Sequence, residues 1–331
     1  MSGPIVAADP AVLARAAAAL REGELVAFPT ETVYGLGADA GNADAVRRIF
    51  AAKGRPADHP VIVHLLDATG LSRWAREVPA GAQRLADAFW PGPLTLILPR
   101  APQVHDVVTG GQDRVGLRVP SHPVALALLR AFTDAGGSGI AGPSANRFGE
   151  ISPTTARHVA DDLGDRVAMI IDGGACAVGI ESTIVAFADG EPTLLRPGGI
   201  GIDAIARVLG RRPRAPGADA PRASGTLASH YAPRTPARLV EAAALPAAVA
   251  ADPTAAVLSR TVPKPAAHRG PWLAAPGDPA GYAHDLYASL RTLDGSGAAS
   301  ILIEDPPEDA AWLAVRDRLA RATHGEDDDL T

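Results

Sequence analysis

The sequence predicts an α/β protein in two parts. A twisted mixed sheet with helices on both faces is expected over residues 1–210. A smaller C-terminal α/β domain is expected over residues 236–331, after a linker at 211–235. Three observations predict this. Short apolar runs alternate with segments of helical periodicity through both parts. Several runs are apolar at every position, as strands are when helices cover both sheet faces. Residues 211–234, between the parts, hold prolines, glycines and arginines and show no apolar period.

Taken in order, residues 11–20 are rich in Ala and Leu and read as a helix, with Asp9 as N-cap and Gly23 ending it. A short buried strand at 24–28 runs into FPTETVYGLG, residues 28–37. Pro29 cannot donate to a ladder and the two glycines tolerate strained backbone, so this is a strand-to-loop transition rich in hydroxyls. In open α/β sheets ligands bind at such carboxyl ends of strands. A second helix at 43–52 carries Val46, Ile49 and Phe50 on one face and stops at Lys53-Gly54-Arg55-Pro56. Residues 61–65 form an apolar strand with His64 inside it. Residues 80–90 are helical, 94–98 a strand, 115–119 a strand carrying Arg118, and 123–132 a helix. Ile140 leads into the small-residue loop Gly142-Pro143-Ser144-Ala145-Asn146. Ser152 is expected to cap a helix reaching Leu163, with Pro153 at its first position. Strands follow at 167–172, after 182, and at 193–196.

In the second part the pattern gives strands at 238–240, 255–258 and 301–304 and helices at 282–293 and 309–322. The acidic run Glu326-Asp327-Asp328-Asp329 reads as a solvated end.

Composition narrows the function classes. No apolar run reaches the length of a membrane span, and Met1-Ser2-Gly3-Pro4 lacks a signal-peptide pattern, so a cytoplasmic protein with no membrane partner is expected. Cys176 is the single cysteine, which excludes an internal disulfide. The net charge of −6 argues against a broad nucleic-acid coat and leaves room for a weak, local RNA contact. Of 31 basic residues, 29 are arginine and only Lys53 and Lys264 are lysine. A lysine in such a chain suggests that a compact ammonium is wanted at that place.

Lys53 and Arg55 sit two apart on a Gly/Pro turn, an arrangement suited to phosphate oxygens. The same residues also read as a cationic helix end that satisfies the dipole. His64 reads either as a satisfied core histidine or as a site residue. His59 and His64, five apart on a strand, point to opposite faces and no third ligand stands out, so no metal site is expected in the protein. Arg118 reads as a carboxylate clamp or as an ion pair at a sheet edge. Ser144 and Asn146 can reach phosphate or ribose. Ser152 at a helix N-terminus offers an anion site. Arg196, before Pro197-Gly198, is a further triphosphate candidate. Cys176, in a turn of small residues, reads as packing rather than as a nucleophile.

Five segments occur together and in order: FPTETVYGLG, KGRPADHPVIVH, GLRVPSHP, GPSAN followed by SPT, and GIESTIV followed by LLRPGG. With Ser229-His230-Tyr231-Ala232-Pro233 in the linker, the chain resembles the YrdC-like family in its long two-domain form, the threonylcarbamoyl-AMP synthases. The resemblance implies a nucleotidyltransferase that makes threonylcarbamoyl-adenylate from L-threonine, bicarbonate or carbon dioxide, and ATP. Pyrophosphate is released, Mg2+ accompanies ATP, and the product passes to the machinery that modifies an adenosine of tRNA. It implies that Thr32, His64, Arg118, Gly142 and Ser182 surround threonine. Lys53, Arg55, His59, Arg114, Ser144, Asn146, Ser152, Arg196 and Tyr231 would serve ATP, with Lys53 and Arg55 assisting the chemistry. The linker, with Tyr231, would act as a lid. Two alternatives remain open from the sequence. One is a carbamoyl-transfer enzyme of the hydrogenase-maturation type, against which the single cysteine argues. The other is a non-enzymatic RNA-binding module, against which the acidic charge argues.

Overall fold

The computed structural model describes residues 4–188 and 190–324, so the acidic run 326–329 lies outside the described residues. The chain forms two compact units, residues 1–148 with 153–226, and residues 149–152 with 227–331.

The first unit holds a ten-stranded mixed sheet. Its strands are β1 (Ile5–Ala7), β2 (Val26–Phe28), β3 (Gly35–Asp39), β4 (Ile62–His64), β5 (Leu94–Pro99), β6 (Arg114–Arg118), β7 (Ile140–Ala141), β8 (Met169–Asp172), β9 (Thr183–Ala188) and β10 (Glu191–Arg196). They run across the sheet in the order β1-β8-β2-β3-β7-β4-β6-β5-β9-β10. β4 and β6 pair in parallel, with Ile62 beside Gly116 and His64 beside Arg118. β5 lies antiparallel to β6 and pairs Leu96 with Leu117. The register thus brings Thr95 level with Arg118. His64, Arg118 and Thr95 form a row on one face, at the carboxyl ends of the parallel strands.

Local chemistry explains the helices. Helix Pro10–Arg21 starts where the Asp9 carboxylate accepts the Val12 N–H at 2.8 Å. Helix Ala43–Lys53 starts on Asn42 and ends at Gly54, which is left-handed at φ 65°, so the chain turns sharply before Arg55. One core packs Val46, Ile49, Leu85 and Val159 against Leu36, Val63 and Leu117. On the other face, Val12, Leu20, Leu128 and Phe132 cover Val26, Phe28 and Ile140. Farther along, Ala223 covers Ile97, Ile184 and Leu195. Residues 214–224 are therefore not a bare spacer. Arg214 bridges to Thr193, and Arg222 donates to the Gly110 carbonyl at 2.8 Å.

The fold departs from the sequence reading in several places. Residues 35–39, expected as loop, form β3 between β2 and β7. Helix Ile202–Leu209 and strand β1 had no expectation. Ser152 caps no helix. The helix spans Ala156–Leu163 and its cap is Thr155, whose hydroxyl accepts the His158 N–H at 3.3 Å. The physical reason is that the preceding stretch is already committed to other partners. The Pro153 carbonyl accepts from Tyr34 N–H at 2.9 Å and the Thr154 carbonyl from Cys176 N–H at 3.0 Å. Pro153 thus lies outside the helix, and Ser152 does not stand at its N-terminus.

The second unit has a parallel sheet of β11 (Ala237–Val240), β12 (Ala256–Ser259), β13 (Trp272–Ala274) and β14 (Ile301–Glu304), ordered β11-β14-β12-β13. Helix Pro279–Asp294 buries Tyr282, Leu286, Tyr287 and Leu290. Tyr231 lies in this unit and is 1% exposed. Its ring meets His230 at 4.2 Å, Tyr287 at 5.6 Å and the Arg318 guanidinium at 5.4 Å. Residues 149–152 also belong here. The Ala232 N–H donates to the Gly149 carbonyl at 2.9 Å, and Arg291 donates to the Ile151 and Ser152 carbonyls.

Glu304 ends β14 with no exposure. One carboxylate oxygen accepts the Ser259 hydroxyl at 2.9 Å and the N–H groups of Arg260 at 2.7 Å, Thr261 at 2.8 Å and Val262 at 3.2 Å. The other accepts the Thr261 hydroxyl. Burial pushes the carboxyl up, but these donors outweigh it and bring its pKa from 4.5 to about 2. The folded value lies below the unfolded one. The stabilisation is therefore complete above pH 4.5, is lost as pH falls towards 2, and amounts to about 3 kcal/mol. Glu304→Gln is expected to lower stability by about that much at pH 7, read from urea midpoints at pH 7 and pH 3. A Gln variant as stable as the parent at pH 7 contradicts this.

Candidate functional site

The loop after β2 is fixed by its own hydroxyls. Thr30 Oγ1 donates to the Val33 carbonyl at 2.6 Å and accepts the N–H groups of Thr32 and Val33. It also lies 2.8 Å from Thr32 Oγ1. Thr30 thus organises the turn, and Thr32, fully buried, is the hydroxyl that the turn delivers. Arg118 Nη1 donates to Thr32 Oγ1 at 2.9 Å, and its Nη2 lies 2.7 Å from Glu31 Oε1. The Ser121 N–H holds the other Glu31 oxygen at 3.1 Å. Burial raises the Glu31 carboxyl, but the Arg118 charge and hydrogen bonds outweigh burial and hold it below its usual range. Glu31 is therefore ionised and steadies the guanidinium. The ion pair expected as one reading of Arg118 exists, and it lies inside the sheet rather than at an edge.

His64 is 2% exposed, and burial, then the Arg118 charge, push its pKa down to about 3. The ring is neutral at physiological pH. One nitrogen bonds the Ile140 backbone, while Nδ1 has no hydrogen-bond partner among the described residues. Nδ1 is then the lone-pair nitrogen, an acceptor. Arg118 Nε likewise has no hydrogen-bond partner there. Gly142 closes this corner. A Cβ on it would stand 3.0 Å from His64 Nδ1, so any larger residue would press on the buried imidazole. The structure gathers Thr32, His64, Gly142 and Arg118 in one buried corner.

Ser182 lies beside them across β5. Its hydroxyl is 2.8 Å from Thr95 Oγ1, and Arg196 Nη2 donates to it at 3.2 Å. Arg196 also donates to the Ser182 carbonyl through Nε at 3.1 Å and to the Ser224 carbonyl through Nη1 at 2.7 Å. The Ser224 hydroxyl donates to the Pro60 carbonyl at 2.8 Å, which Arg55 Nη2 also reaches at 2.9 Å. Ser224 thus joins two of the arginines assigned to phosphate. Arg55 faces the Phe148 ring at 5.7 Å, and His59 meets the same ring edge-on at 5.3 Å. Burial and the Arg55 charge lower the His59 pKa.

Lys53 is 3% exposed, and its ammonium donates to the carbonyls of Ser144 at 2.6 Å and Asn146 at 2.5 Å. The compact ammonium suggested by composition is thus the pin of the GPSAN loop. Asn146 is buried and donates to the Arg147 carbonyl. Arg114 opens β6, and its Nη1 donates to the Phe187 carbonyl at 2.6 Å. The assignments of Ser152 and Tyr231 to ATP rest on the resemblance, since both belong to the second unit. Cys176 is buried, and burial pushes its thiol up to about 12, as suits a packing residue.

Sequence reasoning missed Glu31, Thr95 and Ser224. Glu31 and Ser224 act through contacts remote in sequence. Thr95 had a signal. It is the one hydroxyl in Leu94-Thr95-Leu96-Ile97-Leu98, and it shares the face of Ile97 at period two. Among the described residues no helix is long and apolar enough to cross a membrane, and no group of three or more His, Cys, Asp or Glu side chains gathers as a metal site would.

Comparison with known proteins fits this geometry. Residues 18–198 match a family model described as telomere recombination, and residues 200–324 match one described as threonylcarbamoyl-AMP synthase, C-terminal domain. The threonylcarbamoyl-AMP synthase of Pyrococcus abyssi is 41% identical over 93% of this chain and 93% of its own. That of Bacillus subtilis is 42% identical over 96% and 94%. The crystal structure of P. abyssi Sua5 complexed with L-threonine superposes with a TM-score of 0.88 at 38% identity, covering 96% of this chain and 97% of the other. With both parts matched in order and relatives aligned over nearly the full length, the chain belongs to the threonylcarbamoyl-AMP synthase family.

Proposed function

We propose that this protein makes L-threonylcarbamoyladenylate from L-threonine, bicarbonate or carbon dioxide, and ATP. The observation that carries the reading is the buried corner of Arg118, Thr32 and His64. It offers a guanidinium whose Nε, and beside it a neutral imidazole whose acceptor nitrogen, have no hydrogen-bond partner among the described residues. A carboxylate fits the first. The amine or hydroxyl of an amino acid, as donor, fits the second. A relative of the same fold was crystallised with L-threonine.

Threonine's amine, unprotonated, attacks the carbon of carbon dioxide and gives its proton to water, or attacks bicarbonate, whose hydroxide leaves with that proton as water. The N-carboxylate oxygen then attacks the α-phosphorus of ATP, and pyrophosphate leaves. No covalent bond to the protein is needed. Arg55 and Arg196, joined through Ser224 and Pro60, place positive charge where phosphate oxygens gain it, so the protein's contribution is positioning and electrostatics. Ser144, Asn146, His59 and Arg114 complete the nucleotide side of this unit. Mg2+ arrives with ATP and is held mainly by phosphate and water. The product is handed to the tRNA threonylcarbamoyl-transfer machinery in the cytoplasm.

The test is pyrophosphate release by the full chain from ATP and Mg2+. Release is expected to require both L-threonine and bicarbonate, with threonylcarbamoyl-adenylate detected by mass spectrometry. Release that does not depend on threonine overturns the reading.

A further inference from the structure

We propose that Thr95 is a positioning residue that turns Ser182 into an obligate hydrogen-bond donor facing the substrate carboxylate. The inference deepens the proposed function and rests on Ser182 lining the threonine pocket.

The position of one proton decides this. Thr95 is fully buried, and its partner among the described residues is the Ser182 hydroxyl at 2.8 Å. Its methyl faces β6, 3.6 Å from where a Cβ on Gly116 would stand, which leaves Oγ1 facing Ser182. Either hydroxyl could donate across this contact. If Ser182 donated, the Thr95 proton would be left buried without an acceptor, which is costly. If Thr95 donates, the proton left over is that of Ser182, on the side the proposed function gives to the substrate carboxylate. One Ser182 lone pair then takes the Thr95 proton. The other takes the Arg196 Nη2 proton at 3.2 Å. A serine oxygen has two lone pairs, so Ser182 retains only its own O–H and can only donate. It therefore favours an acceptor, above all an anionic one, and repels no carboxylate with a lone pair of its own.

The row His64, Arg118, Thr95 puts this device on the face that carries the carboxylate clamp. Arg118 supplies charge to the carboxylate, and Ser182 supplies a donor whose direction is fixed from behind. The residue behind it touches no substrate. It acts by removing the choice that an isolated serine hydroxyl would have between donating and accepting.

Thr95→Val keeps the methyl and the volume and removes the hydroxyl, and Thr95→Ser keeps the hydroxyl. In the full chain, L-threonine affinity by calorimetry is expected to fall about tenfold in Thr95→Val and to return within about twofold of wild type in Thr95→Ser. The KM for ATP in threonine-dependent pyrophosphate release is expected to stay within about twofold in both. A merely structural role would weaken both substrates together. Wild-type threonine affinity in Thr95→Val, or equal losses for threonine and ATP, overturns the proposal. If the wild-type chain itself binds no threonine, the pocket assignment falls and this inference falls with it, an outcome read from the parent protein alone.

Discussion

Lys53→Met is expected to cut threonine-dependent pyrophosphate release at least about a hundredfold and to destabilise the protein by about 3 kcal/mol. The substitution keeps the aliphatic stem and removes only the ammonium, which donates to the Ser144 and Asn146 carbonyls. Both carbonyls would then lose a charged donor at a site 3% exposed, and an unsatisfied buried carbonyl costs about 1–3 kcal/mol. The loop would still be tied through its backbone, because the Phe148 N–H donates to the Lys53 carbonyl at 2.9 Å. The expected result is a folded protein with a loosened nucleotide side. Lys53→Arg should recover the charge and only part of the activity. A planar fork cannot place two donors on these carbonyls as a tetrahedral ammonium does. Urea unfolding and steady-state kinetics on both variants check this. Full turnover in Lys53→Met contradicts the role of the ammonium.

How Lys53 works illustrates what could be read from the chain. Its importance was legible from composition, because it is one of two lysines among 31 basic residues. Its partners were not, since they lie about ninety residues away. The same division holds elsewhere. Strand pattern and helix caps place His64 and Arg118 at strand ends, and the hydroxyl loop follows β2 as the sequence indicates. β3 is invisible to propensity, because Gly35-Leu36-Gly37-Ala38-Asp39 has a loop's composition. Tertiary packing makes it a strand, for a Cβ on Gly37 would stand 3.0 Å from Phe28, Ile140 and the Val26 carbonyl. Neighbouring strands come that close only because glycine leaves the space. By residue type Ser152 is, if anything, the better cap. The choice falls to Thr155 because the Pro153 and Thr154 carbonyls are already bonded to Tyr34 and Cys176.

The resemblance supplied residue names for the pocket, and the geometry adds who supports whom. Thr30 holds the turn that presents Thr32, Glu31 holds Arg118, and Thr95 and Arg196 hold Ser182. Each pair couples a supporting polar group to the residue expected to meet substrate, and each is buried. Such supports are costly to break and easy to overlook: Thr30 and Glu31 lie in a loop with no sequence signal of their own, and only Thr95, the lone hydroxyl of an apolar strand, carries one.

Arg118→Met is expected to abolish measurable threonine binding and to destabilise the fold by about 3–5 kcal/mol, and the two effects should be separable. The stability loss comes from Glu31. Its carboxylate is 6% exposed and lies 2.7 Å from the guanidinium, so removing the partner leaves a buried charge without compensation. Its folded pKa is held below the usual value chiefly against burial and by Arg118. In wild type the pair therefore adds stability above the unfolded carboxyl pKa of 4.5 and loses it as pH falls below that. In Arg118→Met burial is opposed only by the backbone N–H groups that hold the carboxylate, the Glu31 pKa rises, and the sign reverses: stability should improve as pH falls towards the acid range. A second change, Glu31→Gln with Arg118→Met, removes the stranded charge. It should restore most of the stability, because replacing both members of a buried pair costs far less than breaking it. Threonine binding should not return, because the clamp for its carboxylate is still missing. Urea midpoints at pH 5 and pH 8, with calorimetric threonine titration, test both arms. A double variant that regains threonine binding would show that Arg118 only neutralises Glu31. A single variant with unchanged stability would show that Glu31 relaxes to solvent and does not depend on the guanidinium.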